Sequence, residues 1–167
     1  MQTDIKGIHI LDNILNEFLE NFQTSASIGP EFCYWTNTEK IEYSLVVTDV
    51  ADEEFKNFTQ TLVPEVKCDI FLLSLFHELG HHMTIDNWSD EEGKTFVSLK
   101  RKIDYDYAHN TRDKKEILNE YFNIPDEKAA TLWGLQYIKS HAKEISALWE
   151  RIHAAIMLIY ELNEMEI

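Results

Sequence analysis

Ile70-Phe71-Leu72-Leu73-Ser74-Leu75-Phe76-His77-Glu78-Leu79-Gly80-His81-His82 is the stretch on which the reading of this chain turns. It is apolar, it contains no proline, and its single acid, Glu78, stands between two histidines four residues apart. On a helix that spacing sends both imidazoles out of one face, where they can close on a single cation. Glu78 follows the first histidine, so its carboxylate is expected beside a water on that cation rather than on the cation itself. Zinc lowers the pKa of such a water from about 15.7 toward about 7, and a neighbouring carboxylate can then take its proton. The pattern therefore predicts metal-assisted hydrolysis, most naturally of a peptide bond. Two histidines and a glutamate are costly to bury unpaired, and a metal satisfies all three. His82 falls about 100° further round the helix and is read as a surface or supporting residue.

Working outward, the helix is expected from Glu65 to about Ile85, with Asp86-Asn87-Trp88 interrupting it. Ser89-Asp90-Glu91-Glu92 then reads as a capped start. Thr111-Arg112-Asp113 opens a helix toward Phe122. Pro125-Asp126-Glu127 opens another, running to about Lys139, with proline in the first turn and acids at the positive end of the dipole. Ile145 to Leu162 forms the last helix. Upstream, apolar residues from Ile8 to Phe22 recur at three- and four-residue steps and predict an amphipathic helix, broken over Ser25 to Pro30. Phe32–Thr36 and Ile41–Val47 flank Asn37-Thr38-Glu39-Lys40 and predict an antiparallel hairpin. A short helix is expected after Asp52, ending before Pro64. The expected class is α+β, mostly helical with one small antiparallel sheet, in a single domain over residues 1–167.

A third protein ligand is needed. Positions three and six after His81 are Thr84 and Asn87, which excludes a nearby Gly and His. The candidates downstream are Asp104, Asp106, Glu116, Glu120, Asp126 and Glu127. Glu127 is preferred because Ala129, Ala130 and Gly134 are small. They let its helix approach the site helix closely enough to bring a carboxylate within roughly 2 Å of zinc. Asp104-Tyr105-Asp106-Tyr107-Ala108-His109, read as a loop, is the alternative source, and Glu120 also stays open. Asp126 is read either as the partner of a ligand histidine or as a helix cap.

The net charge of −15, from 30 acidic and 15 basic residues, argues against direct nucleic-acid binding, which needs clustered Lys and Arg. The basic cluster Lys100-Arg101-Lys102 is diluted by nearby acids. No apolar run approaches the length needed to span a bilayer or to act as a secretory leader, so the expected location is the cytoplasm. Cys33 and Cys68 match no metal spacing and are expected as buried thiols. Two other functions fit this composition: a non-catalytic scaffold that works by binding, and an acidic decoy. Glu78 between the two histidines argues against the first, and the diffuse spread of acids against the second.

The helix ending in His77-Glu78-Leu79-Gly80-His81-His82, followed by Glu127-x-x-Ala130-x-x-Trp133-Gly134, resembles the ImmA/IrrE family of small gluzincin-like metallopeptidases. The resemblance covers two motif helices and their order, about a third of the chain. It implies a zincin-like fold with zinc held by His77, His81 and Glu127, and Glu78 as the catalytic acid and base. It also implies a phage or mobile-element setting and a protein substrate, a helix-turn-helix repressor encoded nearby. Thr131 departs from the pattern, standing where many related zincins place an orienting Asp.

Overall fold

The structure, a computed structural model, describes residues 5–46 and 50–165. In chain order its elements are α1 (Ile8–Leu19), β1 (Ser25–Ile28), β2 (Cys33–Trp35), β3 (Lys40–Tyr43), α2 (Val50–Leu62), α3 (Ile70–Thr84), α4 (Asp90–His109), α5 (Lys114–Phe122), α6 (Pro125–Ser140) and α7 (Ala142–Leu162). Single 3₁₀ turns at Glu20–Phe22 and Ile85–Asn87 extend α1 and α3. The class is α+β with helix dominating. The elements gather into two compact units, one made of α1, the strands and α7, the other of α2 to α6.

In the first unit α1 buries Leu11, Leu15, Phe18 and Leu19, and α7 buries Ile145, Leu148, Ile152, Ala155 and Ile159. Both sets follow helical spacing and form one apolar stripe on each helix. The sheet order is β1-β3-β2, with β2 antiparallel and β1 parallel to β3. The expected hairpin is therefore present, but a third strand makes the sheet mixed rather than purely antiparallel. That strand, β1, falls in Ser25 to Pro30, which composition reads as a break because Ser and Ala favour strands weakly. Tertiary hydrogen bonds hold it instead. The Asn16 side chain donates to Ala26 O at 3.0 Å and accepts from Ala26 N at 2.7 Å, and Gly29 N donates to Tyr43 O at 2.8 Å. Val47, the expected end of the hairpin, lies outside the described residues.

In the second unit α3 is buried along nearly its whole length, including Phe71, Leu72, Leu75, Phe76 and Leu79. It begins at Ile70 and not at Glu65. Asp69 is held extended and its carboxylate accepts the Phe71 N–H at 2.8 Å, a cap that fixes the first turn and leaves residues 65–69 outside it. The start of α4 is a capping box: Ser89 Oγ accepts from Glu92 N, and Glu92 Oε2 from Ser89 N. The segment Asp104–His109, expected as a loop, is the last part of α4. The seven-residue step from Phe96 to Ile103, both buried, keeps that helix in register, and Asn110 ends it in a left-handed conformation at φ 50°. Asp113 caps α5 by accepting from Lys115 N and Glu116 N.

Two glycines govern how α3 meets α6. A Cβ at Gly80 would stand 2.1 Å from Ala130 O, and a Cβ at Gly134 would stand 2.6 Å from Phe76 O. The two backbones therefore touch directly, as the run of small residues predicts. Cys33 and Cys68 are half-buried and neither forms a disulfide. Burial, then the Asp69 charge, pushes the Cys68 thiol up to about 11. Among the described residues no helix is long and apolar enough to cross a membrane.

Candidate metal centre

The close approach at Gly80 and Ala130 sets Glu127, one turn earlier on α6, against the exposed ends of the α3 histidines. Glu127 Oε2 lies 3.0 Å from His77 Nε2 and 3.3 Å from His81 Nε2. Zinc–nitrogen and zinc–oxygen bonds are about 2.0–2.2 Å, so two ligand atoms of a tetrahedral site lie roughly 3.3 Å apart. The observed separations match that spacing. The imidazoles meet edge-on, ring centroids 4.7 Å apart at 84°, so their nitrogens converge rather than stack.

Thr131 shows which atom of His77 carries its proton. The threonine hydroxyl donates to Glu127 O at 2.9 Å, so the same oxygen accepts the N–H of His77 Nδ1, also at 2.9 Å. With Nδ1–H given to Thr131, Nε2 of His77 donates to Glu127 when the ring is charged and presents a lone pair when it is neutral. In the neutral ring that lone pair and the carboxylate oxygen repel, and a cation shared between them relieves the repulsion. The Thr131 hydroxyl thus orients the His77 ring.

Glu78 is buried, with Oε1 4.0 Å from His77 Nε2. Among the described residues, two groups of side chains are placed to hold a metal ion: His77, Glu78 and His81, and also His81, Asp126 and Glu127, with their ligand atoms within 4.8 Å of one another. In the second group the oxygens of Asp126 are already engaged. Oδ1 accepts from Glu127 N at 2.9 Å, and Oδ2 pairs with Lys100 Nζ at 2.6 Å. Asp126 is thus a half-buried acid that takes the Glu127 N–H in the first turn of α6 and pairs with Lys100. Two imidazole nitrogens and one carboxylate oxygen thus stand close enough together to hold a metal ion.

The other candidate ligands are elsewhere. Asp106 and Glu120 both pair with Arg112, at 3.3 and 2.5 Å. Asp104 and Glu116 are exposed on their helices. Tyr105 is exposed and stacks on His109. His82 is half-buried beside the site.

Three neighbours complete the centre. Lys100 Nζ lies 2.5 Å from Glu127 Oε1, and Tyr121 OH donates to the same oxygen at 3.3 Å. Phe55 on α2 places its ring edge-on to His77 at 5.3 Å and walls that side off. Glu127 is only 3% exposed. Burial opposes its ionisation, but the charge of His81 and the hydrogen bonds of both imidazoles outweigh burial and hold its carboxyl well below the usual carboxylate range. Burial likewise opposes the charge on Lys100, and Glu127 and Asp126 outweigh it, so the ammonium is kept above the ordinary lysine value. Burial, then the charges of Glu127, Glu78 and Asp104, raise the Tyr121 phenol, which stays protonated and a donor.

Lys100 is the residue that charge reading misplaces, because it looks like one of three solvated cations. Its spacing holds the missing signal: it stands four after Phe96 and three before Ile103, on the apolar side of α4. Tyr121 offers no comparable clue. No protein-family model, curated protein or solved structure matches this chain.

Proposed function

We propose that this protein is a zinc-dependent peptidase in which His77, His81 and Glu127 hold the metal and Glu78 is the general acid and base. The convergence of two imidazole nitrogens on one oxygen of Glu127, at 3.0 and 3.3 Å, carries the reading. Zinc bound there supplies a Lewis acid and acidifies a water molecule. Glu78, buried beside His77 Nε2, is placed to accept the proton of the attacking water and return it to the leaving amine. Thr131 keeps the Nε2 lone pair of His77 turned inward. Tyr121, held as the neutral phenol, gives its proton to Glu127 Oε1 and so helps fix that carboxylate. Phe55 limits water on the His77 side.

The likeness of the two motif helices to the ImmA/IrrE pattern extends the proposal to its substrate, one specific intracellular protein. A helix-turn-helix repressor encoded beside this chain is the first to test. Glu78→Gln keeps size and polarity but cannot accept the proton. Zinc content should stay at the parent level while turnover of the substrate falls by about 10²–10⁴. Cleavage at the parent rate in Glu78→Gln would overturn the mechanism. A cellular effect that survives Glu78→Gln but is lost on deleting the protein would favour a binding scaffold instead.

A further inference from the structure

Arg101 and Lys102 are exposed on α4, whereas Lys100 is turned inward between buried Phe96 and Ile103. Residues three and four apart share a helix face, so the ammonium enters from the apolar stripe. There it bridges the first two acids of α6, Glu127 Oε1 at 2.5 Å and Asp126 Oδ2 at 2.6 Å. Asp126 also accepts the N–H of Glu127, which locks the pair of acids to one geometry. The two oxygens of Glu127 are thereby divided. Oε2 faces both imidazoles, and Oε1 is taken by Lys100 and Tyr121.

We propose that Lys100 is a positioning residue that restricts Glu127 to one-oxygen coordination and so keeps the metal four-coordinate, with one place open. The proposal rests on the reading of this cluster as a metal centre. A carboxylate can ligate through one oxygen or both, and a bound cation attracts both. A charge-assisted hydrogen bond to Oε1, among the stronger kinds, opposes the second contact. Without the ammonium, Oε1 swings toward the metal and fills the position that a hydrolytic site needs for water and substrate. Asp126 acts one step further out, by aiming Lys100.

Cobalt(II) is the probe, because four-coordinate Co²⁺ absorbs visible light more strongly than five- or six-coordinate Co²⁺ and needs no substrate to report. The parent loaded with Co²⁺ should show the intense four-coordinate bands. Lys100→Met should show clearly weaker bands, and its zinc affinity in a chelator competition should rise severalfold, because a second carboxylate oxygen joins the metal and a neighbouring positive charge is gone. Lys100→Arg should restore both, since a guanidinium can engage the same oxygen. If Lys100→Met does not fold by circular dichroism, Lys100→Gln carries the same comparison. A folded Lys100→Met or Lys100→Gln with the parent's spectrum and affinity overturns the role given to Lys100. A parent that binds neither Co²⁺ nor Zn²⁺ overturns the metal reading itself, so the two failures are distinguishable.

Discussion

Gly80→Ala puts a methyl group where α3 has no room for one. The new carbon would stand 2.1 Å from Ala130 O and 2.7 Å from its carbonyl carbon, so α6 must retreat by roughly 0.9 Å to reach even a 3.0 Å contact. Glu127 is three residues from Ala130, less than one turn away, and moves with it. Metal sites hold ligand distances to within about 0.2 Å, so the displacement is several times the tolerance. Zinc affinity should fall by at least the 10–100-fold, roughly, that accompanies loss of an orienting partner. The metal-free protein should suffer less. Overpacking costs about 1–3 kcal/mol, and alanine recovers about 1 kcal/mol of helix propensity over glycine. A net loss of about 1 kcal/mol lowers the melting temperature by about 2–4 °C at this chain length. Chelator competition for zinc, beside thermal unfolding of the metal-free protein, separates the two effects. Zinc affinity within twofold of the parent would refute the idea that the α3–α6 backbone contact sets the ligand geometry.

Thr131→Val keeps the side-chain shape but removes the acceptor for His77 Nδ1–H, and zinc affinity should drop about tenfold or more. Thr131→Ser should retain it, and equal affinity in all three proteins would show that the hydroxyl does not orient the ring. A Cβ at Gly93, early in α4, would meet nothing within 4 Å, so Gly93→Ala should stabilise the protein by about 0.4–1 kcal/mol. A lowered melting temperature would contradict the helical, open setting of that residue.

The helices were legible wherever an apolar stripe coincided with a side-chain cap. Ser89 with Glu92, Asp113, and Pro125 each mark a start that the structure places within a residue or so. Where a cap interrupts a continuous apolar pattern the boundary is harder to read, as at Asp69, whose local hydrogen bond cuts five residues from the expected helix. The spacing of His77 and His81, and the small residues around Glu127, were enough to bring those three side chains to one point. Lys100 was legible as an inward-turned lysine but not as part of the centre, and Tyr121 not at all. Each comes from a different helix, and its partner is fixed by how α4 and α5 pack against α6, which no single-helix period encodes. β1 was hidden for a related reason, since its hydrogen bonds come from a side chain on α1 and from the far strand of a crossover.

The amide of Asn16 stands in for a neighbouring strand. A sheet normally ends in a row of main-chain donors and acceptors that can recruit another chain, and proteins suppress such recruitment at their edges. Here the edge at Ala26 meets both halves of one carboxamide, donor to acceptor and acceptor to donor. The β1 edge is thereby capped from within the fold, by a side chain of the helix that precedes it, and that side chain is itself held by a bond to Asp12 O at 2.8 Å. Growth of the sheet past β1 into an ordered aggregate would first have to dislodge α1. One polar side chain thus closes the main chain of β1 at Ala26 to any further strand.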